Sequence, residues 1–203
     1  MNKIMKNTLS LFAITGVAGL LLGLVYEGTL QTRKDQEIKT QQNAYKTVFK
    51  DASEFEDVDL KKADGLVSYT EKEVEVNGIV QAKDQTGTSL GYVVTVTAGE
   101  GYDGDIKFSV GVDESGDVTG ISYLSISETA GLGMKAKTEE FINQYISGSE
   151  KEDGEFIVNK DGENGIVIDA ITGATITSRA VTKGVNAACQ VAAGLSTGGA
   201  ANE

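Results

Sequence analysis

IKFSVGVDESGDVTGISYLSI, residues 106–126, alternates apolar and polar positions, breaks at an acidic turn containing glycine, and resumes as a β-branched run. Ile106, Phe108, Val110 and Val112 fall on one face at the two-residue period of a strand. Residues 113–117 make the turn, and 118–126 return as the hairpin partner, with Gly120 marking a bulge. Upstream, GIVQA (78–82) and GYVVTVTA (91–98) are short β-branched runs that add strands. The acidic segment 51–60, DASEFEDVDL, reads as a connection.

Downstream, KAKTEEFINQYI (135–146) predicts a helix with Phe141, Ile142, Tyr145 and Ile146 inward. EFIVNK (155–160) and GIVIDA (165–170) flank DGEN as a second hairpin. A last helix spans about Ser178 to Leu195, with Val181, Val185, Ala188, Ala192 and Leu195 on one face, followed by a frayed tail at 197–203. There is no internal repeat. The fold class is α+β: a mainly antiparallel sheet with packed helices, preceded by one N-terminal transmembrane helix.

That first helix follows from residues 7–26, NTLSLFAITGVAGLLLGLVY, twenty residues without a charge. The length matches the ~20 residues that carry a helix across a bilayer. Gly16, Gly19 and Gly23 suit a membrane helix better than a water-soluble one. The run ends in bulky Val25-Tyr26-Glu27, without the small residues of a signal-peptide cleavage site, so an uncleaved anchor is expected. Lys3 and Lys6 place the N-terminus in the cytoplasm and the rest on the extracytoplasmic face. The expected organisation is a cytoplasmic N-terminus and anchor at 1–26, a helical stem and connection at 27–60 with Ile38, Tyr45, Val48 and Phe49 as its apolar stripe, an exported domain at 61–196, and the tail.

Composition narrows the chemistry. The 203 residues carry a formal net charge of −12, which repels nucleic acid phosphates. No histidine is present, so the commonest metal ligand and general base are missing. Cys189 is the only cysteine, which excludes an internal disulfide, a cysteine-rich zinc site or a thiolate-held iron–sulfur cluster. We expect no metal site and no catalytic residues.

Two segments stand out. DAITGATITSRA (169–180) gathers Thr172, Thr175, Thr177 and Ser178 around Gly173-Ala174, just before a helix. Thr177 or Ser178 is the expected cap. A helix start exposes unpaired N–H groups with partial positive charge, suited to phosphate. The small Gly173 and Ala174 let a ligand approach the backbone, and the remaining hydroxyls can donate to a phosphate or attach one. Local physics alone favours an ordinary capped helix after a tight turn. The second segment, ETAGLGMK (128–135), places Gly131 and Gly133 in a short loop, with Leu132 and Met134 available to contact a ring. A plain glycine loop is its alternative. It is not a dinucleotide fingerprint.

Together, Thr172-Gly173-Ala174-Thr175 and Glu128-Thr129-Ala130-Gly131-Leu132-Gly133, with the 101–128 stretch and the anchor-and-stem layout, resemble the FMN-binding domain shared by the Rnf complex G subunit and the C subunit of the sodium-pumping NADH:quinone reductase. The length is more similar to the Rnf protein. The resemblance implies FMN held by a phosphoester to Thr175, with Thr172, Gly173, Ala174, Thr177 and Ser178 around the phosphate. It puts the isoalloxazine ring by Glu128, Thr129, Gly131, Leu132, Gly133 and Met134. Glu128 is then either a loop-fixing acceptor or a solvated charge. Asp169 matches the acidic residue read by a flavin transferase.

By the same resemblance the chain is an electron relay, partnered by the other Rnf subunits, in a complex that moves electrons between ferredoxin and NAD and exports Na⁺ or H⁺. It would carry out no complete reaction alone. The family loop usually has proline where this chain has Ala130. Two other readings are a covalent-flavin domain of another exported electron-transfer system and a membrane-anchored scaffold without flavin.

Overall fold

The alternation at 106–112 becomes strand β4, Ile106–Asp113, in a computed structural model that describes residues 3–63, 65–66, 73–149, 154–162 and 164–199. Ile106, Phe108, Val110 and Val112 are all buried. Burying a side chain of that size contributes roughly 1.5–3 kcal/mol. Strand β5 (Val118–Ser125) pairs with β4 antiparallel. Gly111 faces Gly120 and Val112 faces Val118, so Thr119 is the extra residue of a bulge beside Gly120, as expected.

Strands β3 (Ser89–Ala98) and β2 (Val74–Lys83) extend the sheet, also antiparallel. A further strand, β1 (Glu54–Asp57), completes the order β1-β2-β3-β4-β5. This corrects the reading of 51–60 as a connection. Glu54, Glu56 and Asp57 are exposed and mask the strand pattern, and acidic side chains suit an edge strand because they discourage further pairing.

The first helix, α1, runs unbroken from Lys3 to Val48. Its apolar segment is long enough to cross a membrane and none of it is buried. The chain divides into two compact units, 1–42 and 43–203. In the second unit Tyr45, Val48 and Phe49 pack with Val80, Ala82 and Val93 on one face of the sheet. The Gly111–Gly120 pair makes room there: a Cβ on Gly111 would lie 3.0 Å from Val48 Cβ. Thr119 Oγ1 donates to the Val48 carbonyl at 2.7 Å. Ile38, the fourth residue of the expected stripe, is exposed instead.

The opposite face carries the main core. Helix α3, Thr175–Gly199, crosses it with Val181, Val185, Ala188, Ala192 and Leu195 buried. The helix starts before the expected Ser178 and continues past Leu195; the tail residues 200–203 lie outside the described residues. Gly184 lets it press on the sheet, since a Cβ there would lie 2.5 Å from Phe108 Cζ. Cys189 packs partly buried against this core.

The expected helix at 135–146 is two pieces. A 3₁₀ helix (Gly133–Lys137) ends at Thr138, whose backbone is extended, and α2 follows at Glu139–Ser149. The Thr138 hydroxyl causes the break: it donates to Lys135 O at 2.7 Å and accepts from Phe141 N at 3.4 Å, capping the second piece. Phe141 and Tyr145 are buried; Ile142 and Ile146 are partly so.

The expected hairpin at 155–170 is also corrected. Strands β6 (Phe156–Val158) and β7 (Ile166–Ile168) pair parallel, not antiparallel. The buried side chain of Asn186 on α3 explains the stability of so short a strand. Its Oδ1 accepts from Phe156 N at 2.9 Å and its Nδ2 donates to Phe156 O at 2.8 Å, so a side chain serves as ladder partner on the other edge of β6. Residue 163, in the DGEN segment, lies outside the described residues.

Candidate functional site

The entry to α3 is built by a four-residue turn at 171–174. Ala174 N donates to Ile171 O at 2.8 Å, and Gly173, third in the turn, has φ +81°. A residue with a Cβ strains there, so glycine is required. Ser178 fastens the turn from inside the helix: its Oγ accepts from Ile171 N and donates to Ala174 O, both at 3.0 Å. The cap expected at Thr177 or Ser178 is therefore displaced, because the helix already begins at Thr175 and Ser178 is spent on the turn.

Thr175 is half-buried, and its hydroxyl has no hydrogen-bond partner among the described residues. Thr177 is fully buried, and its Oγ1 has none either. An unsatisfied buried hydroxyl costs roughly 1–3 kcal/mol, so Thr177 is poised to gain from any acceptor placed beside it. The N–H groups at the start of α3 lack intrahelical carbonyls, and the helix dipole adds partial positive charge.

A second turn at 129–132 meets the first. Leu132 N donates to Thr129 O at 3.1 Å, and Gly131 has φ +77°. The Leu132 side chain abuts Gly173, where an added Cβ would lie 3.1 Å from Leu132 Cδ2. Glu128 is buried rather than solvated, and its Oε1 accepts from Tyr102 N at 2.8 Å, tying the 128–132 loop to residue 102. Gly133 sits where Glu128 and Thr177 converge: a Cβ on it would lie 2.5 Å from Glu128 Oε2 and 2.8 Å from Thr177 Oγ1.

Between these turns opens a cavity of about 510 Å³. Glu128, Thr129, Leu132 and Gly133 line one wall; Gly173, Ala174, Thr175 and Thr177 line the other. Two lining residues carry no signal in the sequence, Tyr102 and Ile176. Tyr102 lies in the 101–128 stretch, but only the fold carries it to the rim; Ile176 is masked by the threonines on either side. With Leu132 they are exposed large apolar side chains from three elements around one opening, a surface suited to a planar ring.

Other expected residues stand apart. Gly131 shapes its turn, and neither it, Met134 nor Ser178 lines the cavity. Thr172 and Asp169 border a separate groove of about 210 Å³ against α2. Asp169 is exposed; Asn159 Nδ2 donates to its Oδ1 at 2.8 Å, and Gln144 Oε1 accepts from its backbone N–H at 2.7 Å. Arg179, the cation nearest the helix start in sequence, turns to Asp161, its Nε donating at 2.9 and 2.8 Å to the two carboxylate oxygens. That guanidinium holds the Asp161 carboxyl below its ordinary range.

Comparison with known proteins agrees with this geometry. Residues 101–190 match the FMN-binding domain family, a stretch that includes both turns and the cavity between them. The fold is that of two crystal structures: the C subunit of the Na⁺-translocating NADH-quinone reductase from Parabacteroides distasonis (TM-score 0.54, 19% identity, 83% of this chain and 96% of that one) and NqrC from Shewanella oneidensis (TM-score 0.51, 14% identity, 78% and 88%).

Whole-chain similarity is greater to the G subunit of the Na⁺-translocating ferredoxin:NAD⁺ oxidoreductase complex of Acetobacterium woodii, 34% identical across 95% of this chain and 93% of that protein. The G subunit of the proton-translocating complex of Clostridium ljungdahlii is 31% identical across 91% and 93%. The G subunit of an ion-translocating oxidoreductase complex of Aliivibrio fischeri is 36% identical across 89% and 85%. This chain belongs to the family of G subunits of ion-translocating oxidoreductase (Rnf) complexes. Its long apolar first helix makes it a membrane-anchored member.

Proposed function

We propose that the chain is the electron-relay subunit of a membrane-bound, ion-translocating ferredoxin:NAD oxidoreductase, with FMN esterified through its phosphate to Thr175 Oγ1. The observation that carries this is the pair of unpartnered hydroxyls, Thr175 and Thr177, at the start of α3 on the wall of one cavity. The residues fit the group: free N–H groups and hydroxyls for a phosphate, small residues at 173 and 174 for close approach, and an apolar rim for a ring. When bound, FMN supplies an acceptor that takes and releases electrons singly or in pairs.

The chain's own residues hold and orient it. A covalent link prevents loss of the group from an extracytoplasmic domain, and the anchor holds that domain beside the other subunits of the complex. A flavin transferase is the maturation partner, reading Asp169, which is exposed six residues before the acceptor. We place the N-terminus in the cytoplasm and, on the far side, the FMN-binding domain, which takes in β1 and the Tyr45–Phe49 end of the expected stem.

The test is the chain made in cells able to attach flavin, run on a denaturing gel and weighed intact. The parent is expected to fluoresce in the gel and to exceed its amino-acid mass by one FMN less water. Thr175→Ala is expected to abolish both signals, at least a tenfold loss of band fluorescence. If Thr177→Ala abolishes them and Thr175→Ala does not, the attachment site is refuted. A parent chain with no added mass refutes the covalent relay altogether.

A further inference from the structure

We infer that Glu128 lowers the reduction potential of the bound flavin through its charge, beyond fastening the loop. The inference rests on FMN occupying the cavity as proposed above. Glu128 is only 6% exposed and yet borders the cavity. It is the only charged side chain among the described residues that line it. Cations elsewhere on α3 are committed: Arg179 to Asp161, and Lys183 to Glu73 at 2.9 Å and Glu100 at 2.7 Å.

Two loops close over the carboxylate at positions without side chains. A Cβ on Gly101 would lie 2.9 Å from Glu128 Oε1, and one on Gly133 would lie 2.5 Å from Oε2. A neutral glutamine could accept the Tyr102 N–H equally well, so fastening alone does not call for a charge. Burying a charge carries a cost, which the hydrogen bond from Tyr102 N–H offsets only in part.

The charge acts when electrons arrive. Reduction of an isoalloxazine by two electrons and one proton adds one negative charge to the ring system; in a titration the electrons come from dithionite and the proton from water. A fixed carboxylate in the wall, poorly screened by solvent, disfavours that added charge and so the reduced form. The positive end of the α3 dipole works in the opposite sense. Glu128 is then a potential-setting residue of the relay.

Potentiometric titration of the flavin-loaded full chain in detergent, followed by flavin absorbance, tests this. Glu128→Gln keeps the acceptor for Tyr102 N–H and removes the charge. At fixed potential it is expected to raise the reduced-to-oxidised ratio at least tenfold, an upward midpoint shift of about 30 mV for a two-electron couple. Asp103→Asn, exposed on the neighbouring loop and outside the lining, is expected to shift the midpoint less. A folded, loaded Glu128→Gln with the parent's midpoint overturns the inference, as does an equal shift from Asp103→Asn.

If Glu128→Gln does not fold, Thr129→Lys puts a positive charge on an exposed lining position. It should raise the midpoint likewise, and an unmoved value overturns the inference. Loading is read first by mass. A parent without flavin defeats the proposed function and this inference with it, whereas an unmoved midpoint in loaded protein defeats this inference alone.

Discussion

The turns at 129–132 and 171–174 share one backbone plan and differ in what fastens them. Each closes by an N–H from its fourth residue to its first carbonyl, at 3.1 and 2.8 Å, and each has a glycine third, at φ +77° and +81°. The first is preceded by a buried carboxylate that reaches across to Tyr102 N. The second is tied by neutral hydroxyls. Ser178 Oγ holds its ends, Thr182 Oγ1 donates to Ser178 O at 2.8 Å, and Tyr145 OH stands 2.9 Å from Thr182 Oγ1. Because Thr182 spends its proton on Ser178 O, Tyr145 is the donor of that last bond. Burial pushes the Tyr145 phenol far above its ordinary value, so it keeps its proton at any working pH. One wall of the cavity is thus charged and the other neutral. The neutral wall is the one that carries the proposed phosphoester, where a second negative charge would be least welcome.

The largest effect should come from breaking the contact between the turns. Gly173→Ala forces a side chain into a left-handed conformation, costing about 1–2 kcal/mol, and its Cβ would crowd Leu132 Cδ2 at 3.1 Å, which adds about 1–3 kcal/mol of overpacking. Gly131→Ala meets the same backbone penalty with nothing within 4 Å. Thermal or denaturant unfolding should therefore show Gly173→Ala as the more destabilised of the two. The excess is expected to disappear in a Leu132→Ala background, as a double-mutant cycle requires of a direct contact. Equal losses from the two glycines would mean that the turns do not brace one another.

Ser178→Ala should come next. It leaves the buried Ile171 N–H without its acceptor, a loss of roughly 1–3 kcal/mol in unfolding free energy. Thr172→Ala, which removes an exposed hydroxyl of the same turn, should change stability by less than about 0.5 kcal/mol. Similar losses from both would show that the hydroxyl chain does not fasten the neutral wall.

How much of this is readable in the sequence follows from which forces leave a periodic trace. Burial of one face does, so β4 and α3 are visible in the steps of Ile106, Phe108, Val110 and Val112, and of Val181, Val185 and Ala188. Strand direction does not: the same alternation in 156–158 and 166–168 serves a parallel or an antiparallel pair, and Asn186, remote in sequence, accompanies the parallel one. Edge position hides a strand too, since acidic Glu54, Glu56 and Asp57 have no inward face to declare. The site is legible as two suspicious segments, and family resemblance sets them beside each other. Their meeting at Leu132 and Gly173, and the reach of Glu128 to Tyr102, depend on long-range packing that no local pattern encodes.

The smallest predicted effect is a gain, and it bears on the charged wall. Ala130 is second in the 129–132 turn, the position where a fixed φ near −65° suits this turn type and where the family loop has proline. Its N–H has no hydrogen-bond partner among the described residues, so proline would remove no bond there. Ala130→Pro is expected to raise unfolding free energy by about 0.4–1 kcal/mol, by narrowing the unfolded chain's choices rather than adding a contact. A rise in melting temperature with an unchanged flavin midpoint would show that stiffening the backbone of the charged wall does not itself set the potential. A fall in stability would mean that the turn needs a freedom at residue 130 that proline denies, and that its plan differs from that of its neutral counterpart.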